Sequence, residues 1–179
     1  TGNPMAQPFE EVVRVNPSGA VLIRAGKIEA VGNADELRRQ YPEANVHDYG
    51  AHLICPGFVD AHVHYPQTAI IASWGKQLID WLNTYTFPEE TKFNDPKYAH
   101  SVAGRYMDLA LAHGTTTMAS FCTTSPVSVE AYFKAAEQRE MRVIGGKTCM
   151  DRHAPNGLVD TPQSAYDDSK ALIEKWHEK

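Results

Sequence analysis

His62 and His64 are the residues of this chain best suited to hold a metal ion. In an extended strand, positions i and i+2 point to the same side, so the two imidazoles aim at one place. Neutral imidazole nitrogen is a ligand for zinc or iron. An isolated H-x-H pair is weak, because two histidines this close are often only polar surface or packing. The setting makes this pair more specific. It ends the apolar run Leu53-Ile54-Cys55-Pro56-Gly57-Phe58-Val59-Asp60 and opens a long loop. Where strands and helices alternate, strand C-termini are where chemistry collects. Asp60 has two readings, a carboxylate supporting the ligands from behind or one that ties down the strand end.

The elements that position such a pair can be read along the chain. From His52 onward the order is β-α-β-α-β-α. The apolar run to Asp60 reads as a strand buried on both faces, and Lys76 to Tyr85 as helical. A helix follows from Pro96 to His113, capped by Asn94 or Asp95 and ended at Gly114. Thr115 to Phe121 is the next strand, Val127 to Glu140 helix, Arg142 to Met150 strand and Gln163 to Glu178 helix. Alternation of this kind implies parallel strands with crossover helices. Three β/α units do not complete a (β/α)₈ barrel of ~250 residues, and a flavodoxin-like open sheet needs five strands. Either way the sheet is expected to be the first part of a longer one.

Residues 1–52 read as a separate small β module. Val12 to Val15 is an apolar patch, Ala20 to Ile23 a second strand, Ala25-Gly26-Lys27 a tight turn and Ile28 to Val31 a third strand. Asn33-Ala34-Asp35 caps a helix over Glu36 to Gln40, and Val46 to Tyr49 suits another short strand. The expected division is therefore 1–52 and 53–179.

Composition narrows the partners. The 179 residues are 42% hydrophobic and 22% charged with formal net charge −5, and lysines and arginines form no stripe that would suit nucleic acid. No run approaches the ~20 apolar residues of a membrane span, and Thr1 to Glu11 lacks the features of a secretory signal. Cys55, Cys122 and Cys149 are far apart, which supports neither a disulfide framework nor a zinc ribbon. Each lies in an apolar segment and reads as a buried free thiol, which favours the cytoplasm.

Pro56-Gly57-Phe58-Val59-Asp60-Ala61-His62-Val63-His64 resembles the first-strand signature of the metal-dependent amidohydrolase superfamily. Further segments are similar to guanine deaminases in particular: His64-Tyr65-Pro66-Gln67, the block Trp81 to Glu90, His113-Gly114-Thr115-Thr116-Thr117 and Gly146-Lys147-Thr148-Cys149-Met150-Asp151. The resemblance covers about residues 20 to 162 and implies the N-terminal part of a (β/α)₈ barrel, about three β/α units, preceded by strands of a small β-sandwich. It implies hydrolytic deamination of guanine to xanthine and ammonia by the full-length protein, with one Zn²⁺ per site (iron being the other metal considered) and a homodimer.

By the same resemblance, His62 and His64 are the first two metal ligands and Gln67 contacts the guanine ring, its amide both donating and accepting hydrogen bonds as a purine edge does. The remaining ligands, including an aspartate, and the proton-shuttling glutamate are expected beyond Lys179, so no catalytic residue is assigned within this chain, which alone is expected to be inactive. Lys147 falls on the third strand, whereas metal-bridging lysines of the superfamily lie on the fourth; it reads as structural, ion-paired near Asp151. Trp74 and Trp81 suit the wall of a purine pocket, although Trp81, at helical spacing with Leu78 and Leu82, reads better as core. Arg152 and His153 read as surface residues, and His100 and His113 as packing or helix-end residues. The alternatives are another amidohydrolase, such as a cytosine deaminase or a chlorohydrolase-like enzyme, and a non-catalytic assembly module.

Overall fold

The computed structural model describes residues 3, 5–75 and 77–178, so the expected helix start at Lys76 lies outside the described residues. The chain divides into two compact units, Thr1–Ile54 and Cys55–Lys179.

In the first unit, α1 (Phe9–Val12) takes up the start of the apolar patch, and residues 13–16 are irregular rather than a strand. β1 (Gly19–Arg24) and β2 (Lys27–Asn33) pair antiparallel. The turn between them needs positive φ at both central residues to match the twist of the strands, and Ala25 at 50° and Gly26 at 75° supply it. The side chain of Asn33 accepts from the backbone N–H groups of Asp35 and Glu36 at 3.0 and 3.3 Å, which starts α2 (Ala34–Gln40) two residues before the expected Glu36. Val46 to Tyr49 forms no strand. Val46 and Tyr49 are exposed, so among the described residues the segment meets no partner surface to hold it extended.

The second unit carries a parallel sheet in the order β3 (Phe58–His64), β4 (Thr115–Phe121), β5 (Arg142–Gly146). Between β3 and β4 runs a long helical passage: a 3₁₀ turn Tyr65–Ile70, α3 (Leu78–Trp81), a π-turn Leu82–Thr86, α4 (Phe87–Thr91), a 3₁₀ turn Lys92–Asn94 and α5 (Pro96–Ala112). Pro88 has no N–H to close the α-helical ladder, and the backbone is wound wide just before it. Asp95 caps α5, its side chain accepting from the Lys97 N–H at 2.9 Å with Pro96 at the first helical position. α6 (Pro126–Glu137) joins β4 to β5, and α7 (Pro162–Trp176) follows, capped by a reciprocal Thr161–Ser164 pair.

The core lies between the sheet and the helices. Met118 of β4 packs with Val102, Ala103, Tyr106 and Met107 of α5 and with Val129, Tyr132 and Ala136 of α6, and Val63 and Val143 border that cluster. Among the described residues the opposite sheet face has no such layer: Phe121 and Ile144 are exposed. This corrects the expectation of a first strand buried on both faces from Leu53. The strand begins at Phe58, and Leu53, Phe58 and Val59 are all more than half exposed, because helices cover only one side of these three strands. Two cysteines are corrected likewise. Cys122, at the end of β4, is buried, but Cys55 and Cys149 sit in exposed irregular segments flanking β3 and β5.

At Gly57, immediately before β3, a Cβ would lie 2.1 Å from Thr116 Oγ1 and 2.3 Å from its Cγ2. The strand can therefore enter beside β4 only without a side chain there.

Candidate active site

β3 delivers its two histidines through an irregular register. Asp60 pairs with Met118 and Val63 with Ser120, so three steps on β3 match two on β4. The Asp60 side chain bridges the irregularity by accepting from the His62 N–H at 3.2 Å. Of the two readings of Asp60, the contact supports the one that ties down the strand.

His62 and His64 come together, their ring centroids 5.4 Å apart, and both touch the Phe121 ring at the end of β4, at 5.5 and 5.1 Å. Burial, and then the neighbouring His62, push the His64 pKa below its ordinary value. The shift favours the neutral imidazole, the form that binds a metal. Two imidazoles beside one cavity fit part of a zinc or iron site. Among the described residues, no group of three His, Cys, Asp or Glu side chains is close enough to complete one.

The histidines line a cavity of about 380 Å³ together with Gln67, Thr68, Trp81 and Tyr106. Gln67 lies on the 3₁₀ turn that follows the strand, and its Nε2 donates to Glu90 Oε1 of α4 at 3.3 Å. Glu90 is buried, and burial raises its pKa, with the Gln67 bond working the other way. The adjacent Glu89 turns elsewhere, to Lys92 Nζ at 2.6 Å and to the Tyr98 hydroxyl. Tyr106 contributes from α5; its hydroxyl pKa is pushed up to about 12 by burial and then by the charges of Asp60 and Cys122, so it stays protonated as a potential donor.

Trp81 belongs to the cavity wall rather than to the core. It is half-buried, and its indole N–H donates to the Ser73 carbonyl at 3.0 Å, holding the loop against the helical passage. Helical spacing with Leu78 and Leu82 misled here: Leu78 is itself exposed, so that face of α3 is not the core face. Trp74 is exposed and is not among the cavity-lining residues.

The side chain of Lys147 is fully buried, but its partner is Asp160 rather than Asp151: Nζ lies 2.9 Å from both Asp160 oxygens. Asp151 instead pairs with the exposed Arg152 at 2.7 Å. The chain turns back after the third strand and brings Asp160 under it, a return that spacing alone does not disclose. His153 and His100 are exposed. His113 ends α5, its Nδ1 2.8 Å from the Leu109 carbonyl. Sequence reasoning passed over Glu90 and Tyr106; both lie far along the chain from the H-x-H, and only the quoted similarity of the block Trp81 to Glu90 pointed toward the first.

Residues 53–179 match the profile described as "Amidohydrolase family", and residues 19–44 match an "Imidazolonepropionase-like composite domain, bacteria". The guanine deaminase of Escherichia coli (strain K12) is 44% identical over 172 residues, which cover 96% of this chain and 39% of that protein. A solved E. coli guanine deaminase has a TM-score of 0.85 at 45% identity over 90% of this chain and 38% of that one. A guanine deaminase from C. acetobutylicum, solved with guanine bound in its active site, gives 0.80 at 30% identity, covering 90% of this chain and 38% of that one. A zinc-bound adenosine deaminase from Xanthomonas campestris, 19% identical with a TM-score of 0.68 over 90% of this chain and 36% of that one, shares the fold. The chain thus spans about two fifths of the length of such relatives. Its α/β fold with a parallel sheet is that of the TIM-barrel amidohydrolases, and the chain belongs to the amidohydrolase family.

Proposed function

We propose that the whole protein hydrolyses guanine to xanthine and ammonia and that this segment supplies the first part of its active site. The observation that carries the reading is the meeting of His62, His64 and Gln67 on one cavity at the end of β3. Similarity to guanine deaminases over 96% of the chain adds the substrate. In this reading residues 1–52 are strands of a small β-sandwich and residues 53–179 about the first three β/α units of a (β/α)₈ barrel. The protein works in the cytoplasm as a homodimer.

His62 and His64 hold one metal ion, zinc before iron, with the ligands still needed, among them an aspartate, supplied after Lys179. When bound, such a metal lowers the pKa of coordinated water towards ~7 and so supplies hydroxide near neutral pH. The residues of this chain do the rest of their work on the purine. Gln67 hydrogen-bonds a ring edge and fixes its orientation. Trp81 lends the cavity an aromatic wall. The reaction adds water at the carbon bearing the amino group and expels ammonia; the proton shuttle is a glutamate expected after Lys179.

The test is turnover by the complete protein. Xanthine and ammonia appearing in equal amounts from guanine, with cytosine and chlorotriazines inert, support the reading. Preference for either of those compounds moves the protein to another branch of the family.

A further inference from the structure

We propose that Glu90 is a positioning residue that sets which way the Gln67 amide faces, so that Gln67 turns its carbonyl oxygen toward the bound purine. The idea rests on the reading of the cavity as a guanine site.

A glutamine amide is two-sided, with an acceptor oxygen and a donor nitrogen that exchange places by a half-turn of the terminal torsion. Free in a cavity, it meets a purine edge in either sense and discriminates poorly. Glu90 removes that freedom. Glu90 Oε1 accepts from Gln67 Nε2 at 3.3 Å, and a carboxyl oxygen that accepts can face only the N–H side of the amide. Glu90 is 7% exposed, and Gln67 is the side chain that bonds it among the described residues. It also lies one turn beyond the π-turn Leu82–Thr86, whose wide winding sets the face that α4 offers to the 3₁₀ turn. Glu89 next to it is occupied by Lys92 and Tyr98, so the two carboxylates do not exchange roles. With one N–H held by Glu90, Gln67 keeps its oxygen and its second N–H for the ligand. The ring edge that fits must itself donate an N–H to that oxygen.

The test is a double-mutant cycle in the complete protein, read as KM against kcat for guanine. Glu90→Gln keeps the shape but can either donate or accept, so the Gln67 amide loses its fixed sense. KM should rise about 10-fold, with kcat within about twofold. Glu90→Asp keeps an acceptor-only group and should lose about threefold or less. In a Gln67→Ala background, Glu90→Gln should change KM by less than about twofold, since its target is gone. Equal losses in both backgrounds, or a fall in kcat alone, would assign Glu90 to packing and overturn the proposal. A wild-type protein that turns over no guanine would instead sink the functional reading. The orientation itself is then decided by the Gln67 side-chain amide in ¹⁵N spectra. A hydrogen-bonded N–H of that amide, shifted downfield in the wild type and moved upfield in Glu90→Gln, supports it; identical signals in both refute it.

Discussion

The chemistry of the site begins with a desolvated imidazole. Partial burial and the neighbouring His62 favour the neutral form of His64, and a neutral ring nitrogen is what a metal needs. In the complete protein, His62→Ala or His64→Ala should strip the metal and reduce guanine turnover by more than about 100-fold, checked by metal analysis beside a xanthine assay. Full metal content in both variants would remove these residues from the ligand set. A second residue-scale expectation concerns the buried pair Lys147–Asp160. Lys147→Met strands a buried carboxylate and should cost about 3–5 kcal/mol, whereas replacing both partners by apolar residues should recover most of it; urea midpoints decide. At this scale the sequence displayed the histidine pair through its motif and spacing. It hid what depends on chain return: the Asp160 partner of Lys147, the Glu90 partner of Gln67 and the place of Trp81 on the cavity wall.

At the scale of elements, the boundaries that were legible are those with local causes. Asn33, Asp95 and Thr161 each cap the helix that follows with a side-chain oxygen, and such caps are written in a few adjacent residues. The strand expected at Val46 to Tyr49 was not, because an apolar pair becomes strand only where a partner edge meets it. Two expectations belong here. Gly57→Ala drives a Cβ into Thr116 and should cost about 1–3 kcal/mol by overpacking, relieved in part by Thr116→Ala; equal thermal midpoints for wild type and Gly57→Ala would show that the strand can shift aside. The second concerns Glu130, which joins α6 to α7. Burial opposes its ionisation, but hydrogen bonds from Lys175, Trp176 and Lys134 outweigh this and hold its pKa at about 2. A carboxyl whose pKa is depressed on folding stabilises the fold above its unfolded value, near 4.5, and loses that contribution as pH falls towards 2. Glu130→Gln should therefore be less stable than wild type at pH 7, and the gap should close across that window in pH-dependent denaturation. A gap independent of pH would point to packing instead.

For the whole molecule, the organising fact is a sheet dressed on one side. Tyr132, Met107 and Met118 fill the layer beneath the helices, while Phe121 and Ile144 lie open on the other face. In a closed barrel that inner face is filled by side chains from the remaining strands, and the relatives are about two and a half times as long as this chain. The alternation of strands and helices made this class of fold readable from sequence. Burial of the first strand was overread, because an apolar run does not say which surface covers it, and among the described residues the helices cover one face of the sheet only. In the proposed reading, two histidines and one amide are likewise only a share of the site. The central claim is that His62 and His64 hold the metal on which guanine hydrolysis depends. The most direct test is to remove metal from the complete protein with a chelator, measure xanthine formation from guanine, and restore zinc. Activity that vanishes and returns with about one zinc per chain is the expected result; xanthine formation that persists in the metal-free protein, or a folded zinc-loaded protein that leaves guanine untouched, would contradict it.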